Sequence, residues 1–254
     1  MSIATFLDAI LEFGYPTIKK AFLLHSRTPA ILQALPTHKM MNTIYFGSID
    51  DAKKVAKRIV YGFHPPVRGE LEGVTYSASS IYLMLWILSP YTWSLPFVYS
   101  VLVKPLGQEE LDSFIKTRNR FLHLFGIPVK AQFNDWEDFI RYMHDASHHL
   151  QGDNSLIEEG FSGAGYSRFK ESVLRGAGSV ALKCALTLLP QSLSARWAIK
   201  TNRLHGLAAY TLLGTIRLLM TCCPDSLLIS GYYARHLEVL RGIQDSKFKI
   251  QNAL

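Results

Sequence analysis

Apolar positions recur at helical spacing along most of the chain, and alternating polar and apolar stretches are scarce. The clearest case covers residues 51–64. Ala52, Val55, Ala56, Ile59, Val60 and Phe63 fall on one helical face, while Lys53, Lys54, Lys57 and Arg58 fall on the other. Ser48, followed three residues later by Asp51, resembles a capping box, and Pro65-Pro66 ends the helix at His64. His64 closes this helix at its C-terminus, one turn after the apolar Val60 and beside the edge of the apolar stripe. An imidazole held there needs a partner, either a hydrogen bond in the core or a metal ion.

Further helices are predicted over 108–125, with Leu111, Phe114, Ile115, Phe121 and Leu122 inward, and from 134 toward 149, carrying Trp136, Phe139, Ile140 and Met143. Others follow over 173–189, 204–220 and 226–243, and the Gly-rich stretch 151–165 is the longest predicted loop. The pattern predicts an all-α fold, a compact single-domain bundle of roughly eight to ten helices over 1–254. A basic tail occupies 244–254.

Residues 73–103 carry no charge and are long enough to cross a bilayer. Pro90, Pro96 and the interspersed Ser and Tyr residues would interrupt a continuous helix. Two buried helices or a helical hairpin are therefore expected, with membrane association as the alternative.

Composition narrows the function classes. Hydrophobic residues make up 48% of the chain and charged residues 19%, enough for a large core and suited to a large apolar ligand. The net charge of +7 is scattered in pairs such as Lys19-Lys20, Lys53-Lys54 and Lys57-Arg58, without the basic stripe that nucleic-acid binding needs. No nucleic-acid partner is expected, whereas a hydrophobic small molecule and peripheral contact with anionic headgroups both fit. Three cysteines, with Cys222 and Cys223 adjacent, make no disulfide framework and no Cys-x-x-Cys. Asp8 and Glu12 within the apolar N-terminal pattern argue against a secretion signal. The expected location is cytoplasmic, with association at an intracellular membrane as the alternative.

Several local patterns favour bland explanations. His144 and His148 stand at i, i+4, but the glutamate of a His-Glu-x-x-His zinc site is absent, so a solvated face is expected. The stretch 160–165 follows no predicted strand and reads as a turn, and no Gly-x-Ser-x-Gly elbow occurs. Cys222 and Cys223 close an apolar helix and suggest packing. Aromatic residues are dense between Tyr76 and Tyr99, and Tyr82, Trp86 and Tyr91 are candidates to line an apolar substrate pocket.

One ordered set of motifs goes further. Tyr45-Phe46-Gly47, the helix behind it, His64-Pro65-Pro66-Val67-Arg68-Gly69, Tyr76-Ser77-Ala78 and Trp86 follow one another, with His25-Ser26 upstream and 122–128 and Leu188-Leu189-Pro190 downstream. This order resembles the catalytic domain shared by the latex-clearing proteins (rubber oxygenases) and the membrane-bound oxygenase of mycophenolic acid biosynthesis, over roughly residues 20–240. The resemblance implies an all-helical fold, with His64 as proximal ligand of haem b and dioxygen chemistry on an isoprenoid double bond. It places Thr37 on the distal side, with Gln33 where the family has arginine and Pro36 where it has lysine. Leu88 also stands where many relatives have histidine after the tryptophan.

The expected activity is thus that of a haem-dependent oxygenase acting on a hydrophobic, isoprenoid or polyketide-derived substrate in specialised metabolism. Thr37, Gln33 and His38 are its candidate catalytic residues, with His25 a further stand-in for the lost cations. Loss of those cations, which elsewhere steady charge on bound oxygen, motivates a second reading. This is a cofactor-independent cyclase or pericyclase that holds a terpenoid in a reactive conformer. A third is a membrane-associated lipid-binding protein without catalysis.

Overall fold

Ser48 opens the best-patterned helix as its sequence requires: its Oγ accepts from the Asp51 amide at 3.1 Å and donates to the Asp51 carboxylate at 2.8 Å. A computed structural model describes this helix among residues 3–25, 39–41, 43–44, 47–63, 67–71, 73–153 and 168–222. The elements in order are α1 (Ile3–Phe13), α2 (Pro16–His25) and α3 (Ile49–Arg58), which passes into a π-helical turn (Ile59–Phe63). After these come β1 (Arg68–Leu71), β2 (Val74–Ser77), α4 (Ile81–Leu102) and α5 (Gln108–Leu124). A 3₁₀ turn (Val129–Ala131), α6 (Trp136–Ser147), α7 (Arg168–Leu186), α8 (Gln191–Ser194) and α9 (Arg203–Cys222) complete them. The fold is mostly α, as the sequence predicts. The expected helix over 226–243, most of the loop over 151–165 and the motif at 160–165 lie outside the described residues.

One expectation needs correction. The uncharged segment is neither two helices nor a helical hairpin; from residue 81 it forms the single helix α4, continuous through Pro90 and Pro96. Each proline deprives a carbonyl one turn earlier of its amide donor, but burial and packing outweigh that loss. The hydroxyls of Ser89 and Thr92 bond back to the carbonyls of Leu85 and Leu88 at 2.6 and 2.8 Å, so polar residues enter the core without orphaned hydroxyls. α4 is long and apolar enough to cross a membrane, yet 67% of its most apolar window is buried within the protein. The first residues of the uncharged segment instead build an antiparallel hairpin, pairing Arg68 with Ser77 through Leu71 with Val74. Gly73, at φ 80°, makes its tight turn. Strands of four residues are too short to show a period of two against the helical background.

α4 is the hub: α1, α5 and α9 all pack against it. Leu7, Ile10 and Leu11 of α1, Trp86 of α4, Ile115 and Leu122 of α5 and Phe139 of α6 are fully buried in one core. α9 differs, because only Ala209 and Leu213 are buried while Leu204, Leu207, Tyr210 and Leu218 are exposed. The core assignment has a direct test. Phe139 is 0% exposed and its neighbour Ile140 36%, so Phe139→Ala should lower unfolding stability by about 3–5 kcal/mol. Ile140→Ala should cost about 1 kcal/mol or less, as read by urea denaturation of both variants.

Candidate functional site

Three helices meet at a buried polar cluster. On α1, Asp8 and Glu12 are one turn apart within an otherwise apolar face. From α5, the buried Arg118 donates through Nε to Thr92 Oγ1 at 2.8 Å and through Nη2 to the Leu88 carbonyl at 3.0 Å. Its guanidinium lies 3.9 Å over the Phe121 ring. Asp8 Oδ1 is shut off from solvent with no hydrogen-bond partner. Burial raises the Asp8 carboxyl well above the usual range, with Glu12 reinforcing the shift and Arg118 opposing it. Burial likewise pushes Glu12 from 4.5 up to about 8. Tyr91 is raised by burial and by Asp8, and Tyr142 by burial. This set can hold and release protons inside an apolar interior.

An open cleft of about 740 Å³ is bordered by α2. Its apolar lining comes from Pro16 and Leu24 of α2, Leu71 of β1 and Leu150 after α6, and its cations are Lys19, Lys20 and Arg196. Lys19 pairs with Asp153 at 2.6 Å, and Lys20 donates to the Glu70 carbonyl at 2.7 Å. One wall is a β-bridge between Gly152 and Trp197. There the Gly152 amide donates to the Arg196 carbonyl at 3.2 Å, and the Ala198 amide to the Gly152 carbonyl at 2.9 Å. A Cβ at Gly152 would stand 2.0 Å from Trp197 Cδ2, so only glycine permits that approach. A second groove of about 560 Å³, lined by Leu95, Tyr99, Phe114 and Met220, runs between α4 and the ends of α5 and α9.

The sequence-derived site residues fall unevenly on this arrangement. His64, Gln33, Thr37 and His38 lie outside the described residues; α2 precedes the last three and β1 follows the first. Of the aromatic candidates, Trp86 is fully buried and Tyr91 nearly so, whereas Tyr82 is half exposed with its hydroxyl bonded to that of Tyr15. Tyr15 joins Tyr82 to Trp86, at ring separations of 6.1 and 5.3 Å, while Tyr91 faces the electrostatic influence of Asp8 and Arg118 instead. None of the three lines the cleft or the groove. His144 and His148 share the exposed face of α6, and His148 Nδ1 lies 2.7 Å from Arg196 Nη2.

Sequence reasoning missed Arg118 and the cleft. The signal for Arg118 was present, since it stands four residues from Phe114 and from Leu122, on the same inward stripe of α5. The cleft carried no such signal, because its residues are assembled from four separated segments.

The buried carboxyls set a pH dependence. Their folded pKa values exceed the unfolded ones, so the associated stability is complete below the usual 4.5 of Glu12 and is lost as pH rises through about 8. Glu12→Gln should therefore match the wild type near pH 5 and melt at a higher temperature above about pH 8. Parallel pH profiles of thermal unfolding by circular dichroism provide the check, and identical slopes for both proteins would remove the assignment.

The span from α1 to α9 also carries a family signature. A family model described as "ER-bound oxygenase mpaB/B'/Rubber oxygenase, catalytic domain" matches residues 3–218. Neither the curated proteins nor the solved structures provide a match to the chain. The matched span includes the carboxyl pair, Arg118 and all three cations of the cleft, and the chain belongs to this oxygenase catalytic-domain family.

Proposed function

We propose that the protein is a haem-dependent oxygenase acting on a hydrophobic, isoprenoid or polyketide-derived substrate. The observation that carries this reading is the position of the cleft. It lies between α2, which leads in sequence to Gln33 and Thr37, and β1, which follows His64. Its apolar sides and cationic residues suit a group with apolar faces and a carboxylate edge, which is the chemistry of haem b. His64 is the residue proposed to hold the iron, and the bound group supplies the redox centre for dioxygen chemistry.

The protein's own side chains then bind and exclude. Leu24, Leu71 and Leu150 offer apolar contact to the bound molecules. By the resemblance, Gln33, Thr37 and His38 would supply the hydrogen-bonding groups toward dioxygen, with Gln33 a neutral donor where the family has a cation. The exposed Leu204, Leu207 and Leu218 of α9, with the family's description as ER-bound, support peripheral contact with an intracellular membrane.

Protein expressed with added haem should show a Soret band that His64→Ala abolishes while thermal unfolding is retained. Turnover of a polyprenyl substrate should consume dioxygen. Gln33 and Pro36, at positions where the family has cations, favour the cyclase as the competing reading. A colourless protein that converts a terpenoid equally well under nitrogen would establish that reading and end the first.

A further inference from the structure

Lys19 and Lys20 are consecutive on α2 and diverge by about 100° around the helix axis. Both nevertheless line the cleft, Lys19 reaching Asp153 on one wall and Lys20 reaching the Glu70 carbonyl on the other. Arg196 enters from a third segment, its backbone fixed by the bridge through Gly152. The Gln151 amide donates to the Gly14 carbonyl at 2.7 Å, which ties that bridge to the α1–α2 turn. The cations are thus displayed on a braced frame.

Among the described residues, the lining holds three cations and one carboxylate, Asp153, an excess of two positive charges. Asp153 shows what the frame accepts, because its carboxylate sits on the Lys19 ammonium in a half-exposed pair that solvent weakens. An incoming carboxylate can replace it there. Apolar side chains lie immediately beside the cations, so a small inorganic anion would leave most of the cleft unfilled.

We propose that this cleft is a binding site for an amphipathic carboxylate, its acid group held by Lys19, Lys20 and Arg196 and its apolar body against Leu24, Leu71 and Leu150. Two sources supply that chemistry: the propionates of haem, or a carboxylate on the apolar substrate itself. Only the first source rests on the oxygenase reading.

The test titrates the full chain with hemin, hemin dimethyl ester and sodium oleate, reading Soret absorbance for the porphyrins and Trp fluorescence for oleate. The variants are Lys19→Gln/Lys20→Gln, Arg196→Gln and Asp153→Asn, each checked for an unchanged melting temperature. Removing a cation should weaken binding of the free acid by about tenfold. Asp153→Asn, which frees Lys19, should tighten it severalfold, and the dimethyl ester should bind all the proteins alike. Charge-dependent binding of hemin identifies the propionates as the source. Charge-dependent binding of oleate without any hemin binding upholds the carboxylate site and removes the haem reading. If hemin gives a His64-dependent Soret band with equal affinity in every variant, the oxygenase reading survives and the carboxylate site is wrong. The site is equally overturned if ester and acid weaken together, or if no probe binds.

Discussion

Arg118 is the constraint on which the helical assembly depends. A guanidinium cannot be taken out of water unless its donors are met, and here two of them are met by α4, at Thr92 Oγ1 and the Leu88 carbonyl. Those acceptors exist in the core only because α4 runs unbroken through its two prolines, with Ser89 and Thr92 turned back onto their own helix. The charge in turn sets the character of α1, whose Asp8 can approach a buried cation but obtains no hydrogen bond for Oδ1. The three helices are therefore matched electrostatically as well as by packing.

How much of this could be read from the sequence varied with the range of the interaction responsible. The cap at Ser48, the start of α5 near Gln108 and the start of α6 after Asn134 are local effects, and they stand where the pattern puts them. α4 was misjudged because proline costs are local whereas the burial that overrides them is supplied by α1 and α5. The hairpin escaped because eight strand residues carry too little periodicity. The π-helical turn at Ile59–Phe63, just before His64 in sequence, is an irregularity that no propensity rule announces, and the expectation for His64 itself falls outside the described residues. The cleft is the least legible part, since Lys19, Lys20 and Arg196 become neighbours only through tertiary structure.

The chain thus separates two kinds of polar chemistry. In the interior, the largely shielded carboxyls of Asp8 and Glu12 favour their neutral forms near the buried Arg118. At the cleft, exposed cations keep their charge beside apolar side chains. There, Trp197 fills the space that any side chain at 152 would need, so that wall is set by backbone pairing.

The contact between the hydroxyls of Tyr15 and Tyr82 joins residues 67 positions apart. Closing so long a loop carries an entropic cost that nearby contacts between α5 and α6 do not face. On a growing polypeptide, α1 leaves the ribosome well before α4 exists, with its apolar face and its two acidic groups still in water. Because burial favours the neutral forms of Asp8 and Glu12, docking of α1 is coupled to proton uptake. The closure of α1 onto α4 thus carries a proton balance as well as a loop-closure cost.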